Sequence, residues 1–316
     1  MNETLDLCSK LTVLVNSCDT YEDLWIPFFT LFRKYWGDKT VRVLLNTESK
    51  DFALEGLNIE CIHCTEKGYS ARLRNALAHV QTEYVLVMLD DFFLRHPVDI
   101  KRIEQILSWM DNDRDIIYFN SDCTEVYVDW EVDRYPGFRR IPPGSEYVLN
   151  LQAAIWRTGD LRRYWKCNVS PWEWEGIVTL QTSREKKKFY CTTDWKNAIC
   201  DYGYKPEGMG VFRGKWVISD VEPLFQTEGI AVDFSQRGIY DPNIAVIRVD
   251  TPDRGSFYNC LVRCLGVWGL LGYLLHRVYV KLAALLGQDA QVQSDYFDYK
   301  RALVRRKFLQ KKGGIR

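Results

Sequence analysis

The chain is short of histidine, of long apolar runs and of net charge. Only four His occur in 316 residues, and none lies between His96 and His276, so the middle of the chain has no imidazole to offer a metal. The 42 basic and 42 acidic residues cancel, which removes any global case for nucleic acid as a partner. No G-x-G-x-x-G follows the first apolar strand, so a dinucleotide-binding half is not indicated. Near the C-terminus the longest uncharged run, residues 264–275, has twelve residues, too few to span a bilayer. Residues 1–6 lack a basic and apolar leader, so no secretory signal is expected. The ten Cys are scattered. The lone C-x-x-C, Cys61 and Cys64, lies in an apolar strand with no second pair at zinc-ribbon spacing. Reduced thiols in a cytoplasmic protein are the simplest account.

What is present centres on residues 84–94. Tyr84-Val85-Leu86-Val87-Met88-Leu89 is an unbroken apolar run and reads as a strand covered on both faces. Asp90 and Asp91 follow it at once. Such a strand does not tolerate charge inside it, so the pair belongs at its carboxyl edge, the side on which open α/β sheets bind ligands. Adjacent carboxylates repel, and a divalent cation carrying a phosphate is a usual compensation. The alternative is a helix cap and a solvated acid.

Strands are predicted at residues 11–17, 41–45, 58–63, 116–120 and 148–156. Helices are predicted at 21–35, starting near Pro27, and at 68–80, 99–110 and 161–165. This alternation with short connections predicts an α/β fold on a mostly parallel sheet. Residues 122–146, with Pro136-Gly137 and Pro142-Pro143-Gly144, read as a long excursion. After the opening strand come Asn16, Ser17 and Asp19, and after the second come Asn46 and Glu48. All five fall at the carboxyl edge, where they either read a base or serve as turn and cap residues. Arg72 and Arg74 near a helix start, and Arg213 and Lys215 flanking Gly214, are candidates to bind phosphates; otherwise they are solvated.

Trp172-Glu173-Trp174-Glu175 supplies two further carboxylates between indoles. Trp172 and Trp174 suit a sugar-stacking wall, and Glu173 and Glu175 are the candidate bases. On a helix starting at Ser170-Pro171, Glu173 falls in the first turn, which favours Glu175 as the base; both acids serving the helix start is the alternative.

Three features together resemble the nucleotide-sugar glycosyltransferases of the GT-A fold, particularly inverting family 2. They are the opening strand with Val15-Asn16-Ser17-Cys18-Asp19, the segment from Gly68 through Arg72, Arg74 and Asn75 into Asp90-Asp91, and the acid in an aromatic loop at Trp172 to Glu175. Here Asp90-Asp91-Phe92 stands where the family has D-x-D, and Trp-Glu-Trp-Glu where it has Glu-Asp. The resemblance implies a GT-A (Rossmann-like) mixed, mostly parallel sheet flanked by helices. It implies a nucleotide half at about residues 1–120 and an acceptor half at about 121–250. It further implies sugar transfer from a nucleoside-diphosphate sugar to a saccharide or lipid-linked saccharide in surface polysaccharide biosynthesis, with inversion. Mg²⁺ or Mn²⁺ on Asp91, with Asp90 reaching metal or ribose, follows from the same likeness. The alternatives are a non-catalytic relative that binds saccharide or a partner, and a nucleotidyltransferase; the latter usually carries a Gly- and Lys-rich loop that residues 16–21 lack.

Residues 251–316 read as a helical, basic appendage. An amphipathic helix around residues 259–286, with Trp268 and Tyr273 at headgroup level, suits the inner face of a membrane; packing against the catalytic domain is the alternative. Residues 300–316 hold eight Lys and Arg and no acid, which attracts an anionic surface.

Overall fold

The apolar side chains of β1 (Leu11–Asn16) and β4 (Tyr84–Leu89) alternate between two faces, and both faces are covered. That double burial is why these strands read as continuous Val and Leu rather than as an alternation with polar residues. The computed structural model describes residues 7–37, 40–121, 135–145, 148–182, 185–194, 198–203, 209–243 and 254–285.

A short helix α1 (Leu7–Lys10) leads into β1, and α2 (Glu22–Tyr35) follows it after a 3₁₀ turn, Asp19–Tyr21. β2 (Arg42–Thr47), β3 (Asn58–His63), α3 (Tyr69–His79) and β4 come next. α4 (Ile100–Asn112), β5 (Ile116–Asn120), β6 (Phe138–Ile141), β7 (Ala154–Arg157), α5 (Thr158–Tyr164), α6 (Pro171–Thr182) and β8 (Lys188–Thr192) complete the sheet region. The eight strands lie in the order β3-β2-β1-β4-β7-β5-β8-β6. β1 to β4 are parallel, β7 runs antiparallel between β4 and β5, and β6 is antiparallel at the far edge. The sheet is mixed and mostly parallel, as expected. One core lies between it and α2, α4 and α7 (Ile218–Glu228), the other between it and α3, α5, α6 and α8 (Arg254–Leu285).

Three local expectations change. α2 begins at Glu22 and carries Pro27 inside it; burial of Leu24, Trp25, Phe28 and Phe29 outweighs the one hydrogen bond the proline forfeits. The strand expected over 148–156 shrinks to Ala154–Arg157. Asn150 Oδ1 instead accepts from Gln152 N at 3.1 Å and Asn120 Nδ2 at 3.2 Å, side-chain bonds that replace a ladder. The excursion at 122–146 includes β6, while residues 122–134 lie outside the described ones.

α8 is two helices joined at Gly266, whose φ of 74° and ψ of 177° break the spiral. Before the break Phe257, Cys260, Leu261 and Leu265 are buried on the domain. After it Val267, Trp268, Leu275 and Val278 are exposed, Trp268 to 81%. Although its uncharged run is only twelve residues, Phe257–Leu282 is long and apolar enough to cross a membrane by length and composition alone. The basic residues 300–316 lie outside the described residues.

Candidate functional site

The parallel strands deliver Asn16, Ser17, Asn46, Asp90 and Asp91 to one sheet edge because each follows or ends a strand running the same way. Asn46 Nδ2 donates to Asn16 Oδ1 at 2.6 Å, both buried. Trp25 Nε1 donates to Ser17 Oγ at 2.7 Å, and Ser17 Oγ donates in turn to Asp90 Oδ2. Asp90 is 3% exposed. Burial, then the Asp91 charge, pushes its carboxyl well above the usual range, with the Ser17 bond and Arg237 acting against them. Burial likewise pushes Asp91 up to about 7, against a smaller pull from Arg237. Asp91 Oδ1 is buried without a hydrogen-bond partner among the described residues. An orphaned carboxylate oxygen beside a second acid is a donor set suited to a hard divalent cation. No third acid, imidazole or thiol among the described residues joins the pair.

Asp19 and Glu48 build the loops around this edge. Asp19 Oδ1 accepts from the amides of Glu48, at 2.9 Å, and Ser49, at 3.1 Å, and Oδ2 accepts from Ser49 Oγ at 2.6 Å. Partial burial raises the Asp19 carboxyl, but these donors outweigh it and hold the group down to about 2. Glu48 accepts from the Asp19 amide and pairs with Arg72 at 2.9 Å. Arg72 is thereby at the site, whereas Arg74 turns away and donates to the Cys167 carbonyl at 3.0 Å.

Glu175 lies on α6 and accepts from the Leu151 amide at 3.1 Å. Glu175 and Asp91 both act on the buried Tyr69: burial, then the Glu175 charge and then the Asp91 charge, raise that phenol, against a bond to Asn16. Glu173 closes a capping box instead, accepting from Ser170 N and Ser170 Oγ, both at 2.9 Å, which fixes the start of α6. Trp172 is 69% exposed. Trp174 is in the core at 2% exposure, stacked on Trp165 at 4.2 Å, so it has no face to present to an acceptor.

Arg213 and Gly214, with φ of 52° and 78°, form the turn between β9 (Val211–Phe212) and β10 (Lys215–Trp216). Positive φ at both turn residues matches the twist of a two-residue hairpin. Lys215 is exposed on β10.

The residue the sequence did not single out is Arg237. Its guanidinium forks onto Asp23, with Nε 3.1 Å from Oδ2 and Nη2 on Oδ1. It also donates to the Gly214 carbonyl at 3.2 Å and lies 4.3 Å from the Tyr21 ring centroid. It is the cation that pulls both Asp90 and Asp91 down. Beside it opens a cleft of about 570 Å³ lined by Asp19, Thr20, Asp23, Lys50, Gly214 and Gln236 among others. Its ion partner is 214 residues away, and no local motif announces it.

No family model and no curated protein matches the sequence. Among solved structures the chain is similar to S. aureus TarS residues 1–349, at 13% identity and TM-score 0.39 over 94% of this chain and 92% of that one. It is similar to a longer S. aureus TarS chain at 14% identity and TM-score 0.40, over 91% of this chain and 55% of that one. Likeness at this level leaves the activity to be read from the site itself.

Proposed function

We propose that the protein is a glycosyltransferase that moves a sugar from a nucleoside-diphosphate sugar to a saccharide or lipid-linked saccharide, with inversion, in surface polysaccharide synthesis. The observation that carries this reading is the buried Oδ1 of Asp91, without a hydrogen-bond partner among the described residues, at the sheet's carboxyl edge beside Asp90 and near Arg237. The sequence resemblance supports it, and so does the electrostatic effect that both Asp91 and Glu175 have on Tyr69.

In this reading Asn16, Ser17 and Asn46 shape the floor for the base and ribose, with Asp19 and Glu48 holding the loops in place. Asp91, with Asp90 beside it, would hold Mg²⁺ or Mn²⁺, which when bound supplies positive charge against the diphosphate. Arg72 and Arg237, with Arg213 and Lys215 from the hairpin, bring further positive charge toward the leaving group. Glu175 takes the proton of the acceptor hydroxyl as its oxygen bonds to the anomeric carbon. The bond from that carbon to the phosphate oxygen breaks, and the electron pair leaves with the diphosphate. Trp172 offers its exposed indole to the acceptor. The exposed apolar half of α8, followed by the basic residues 300–316, suits attachment to an anionic inner membrane face, where a lipid-linked acceptor would lie.

The test is a panel of nucleotide sugars with Mn²⁺, read as slow donor hydrolysis and donor binding. Turnover of one donor that disappears in Asp91→Ala is expected. Absence of turnover and of binding across the panel, with Asp91→Ala indistinguishable from wild type, would overturn the reading.

A further inference from the structure

Cys167, from a distant part of the sequence, meets Cys260 and Cys264 on α8. Cys167 lies between α5 and α6, while Cys260 and Cys264 are one helical turn apart on the buried side of α8 before its break. Cys167 Sγ is 3.9 Å from Cys264 Sγ, which is 3.9 Å from Cys260 Sγ, and all three sulfurs lie within 4.8 Å of one another. From these distances we propose that Cys167, Cys260 and Cys264 are three ligands of a zinc site that clamps α8 to the segment leading into α6.

The spacing is what zinc asks for. Tetrahedral Zn–S bonds of about 2.3 Å put sulfurs about 3.8 Å apart. A disulfide joins two of the thiols and leaves the third over, whereas one ion engages all of them. Basic side chains are anchored beside the cluster. Arg74 is anchored on the Cys167 carbonyl at 3.0 Å, and Arg263 on the Lys166 carbonyl at 3.0 Å. Zinc with three thiolates carries one net negative charge, which the two arginines and Lys166 are placed to balance. Cys260 is buried while Cys167 and Cys264 are partly exposed, leaving a fourth position for water. The C-x-x-C at Cys61 and Cys64 is different: Cys61 Sγ accepts from the Phe52 amide at 3.1 Å.

The site is structural and independent of the proposed reaction. The full chain, purified with reductant and dialysed against zinc-free buffer, is expected to retain about one zinc by mass spectrometry. A mercurial that blocks thiols should release it. Replacing zinc with Co²⁺ should give thiolate-to-cobalt charge-transfer absorption. Cys264→Ser should lose retention and the absorption, while Cys61→Ser keeps both. If the serine variants do not fold, the cobalt spectrum of the wild-type chain decides. Failure to retain zinc together with no charge-transfer band would overturn the proposal. So would retention unchanged in Cys264→Ser, iron or copper held in preference to zinc, or a non-reduced chain two hydrogens lighter through a disulfide among these cysteines.

Discussion

The amide of Gly210 donates to the carbonyl of Asp91 at 2.9 Å, hanging the β9–β10 hairpin from the backbone of the acid itself. The Val217 amide returns to the Gly210 carbonyl at 3.0 Å and closes the hairpin. A Cβ at position 210 would lie 2.2 Å from Phe93 Cε2 and 3.0 Å from the Asp91 carbonyl oxygen, so only glycine allows this approach.

Gly210→Ala must therefore displace the Phe93 ring, which packs on Phe225 at 5.1 Å and Trp216 at 6.1 Å. Overpacking of this kind costs about 1–3 kcal/mol. Denaturant unfolding should show that loss, and donor turnover should fall with it because Asp91 and the hairpin move together.

Asp91 is expected to make the ligand-free protein less stable as pH rises. Its folded pKa of about 7 lies above the ordinary 3.8, so the folded chain holds this proton more tightly than the unfolded one. Stability from this group is complete below about pH 4, declines as pH climbs to about 7 and is then level. Asp91→Asn should match wild type near pH 4 and exceed it at pH 8, by on the order of 4 kcal/mol, while abolishing donor turnover. Mn²⁺ with a nucleoside diphosphate should stabilise wild type more at pH 8 than at pH 5 and should not do so for the variant. Urea unfolding at each pH checks this.

The two glutamates of α6 should separate cleanly. Glu175→Gln keeps an acceptor for the Leu151 amide but cannot take a proton, and transfer should drop about 10²–10⁴-fold. Glu173→Gln disturbs the capping box and should cost at most about 1 kcal/mol, with transfer close to wild type. Steady-state kinetics beside thermal melts distinguishes the two.

Arg237→Ala leaves Asp23 without its partner in a largely buried position, where breaking a pair costs about 3–5 kcal/mol. Arg237→Lys restores charge without the fork, and should recover part of the stability but not the donor affinity. Because the Arg237 charge lowers the Asp91 carboxyl, the acidic limb of the pH–rate profile should move to higher pH in Arg237→Ala and stay closer to wild type in Arg237→Lys.

Trp268→Asp combined with Leu275→Asp replaces two exposed apolar side chains of α8. Flotation should show wild type on anionic vesicles and the double variant in the soluble fraction, with donor hydrolysis unchanged.

The fold was largely legible because burial on both faces writes itself as an unbroken apolar run. Residues 84–89 announced β4 and, with it, where Asp90 and Asp91 must sit. β8 and β7 were harder. β8 is five residues long, Lys188–Thr192, and β7 shrinks where Asn150 bonds its own neighbourhood, which periodicity does not register. The site was legible as carboxylates following strands, but not as contacts. Trp172 and Trp174 look alike in sequence and differ in the fold, one exposed and one stacked in the core. Arg72 and Arg74, two residues apart, point to different partners.

By itself the sequence determined the α/β architecture, the edge that carries the acids and the helix that carries Glu173 and Glu175, because these follow from local hydrophobic period and capping. Only the tertiary structure decided which groups answer one another. It set Arg237 on Asp23 across 214 residues, Gly210 under Asp91, and Cys167 against Cys260 and Cys264. Those pairings depend on how distant segments cross at a sheet edge or a helix base, which burial of the whole core sets and no short stretch encodes.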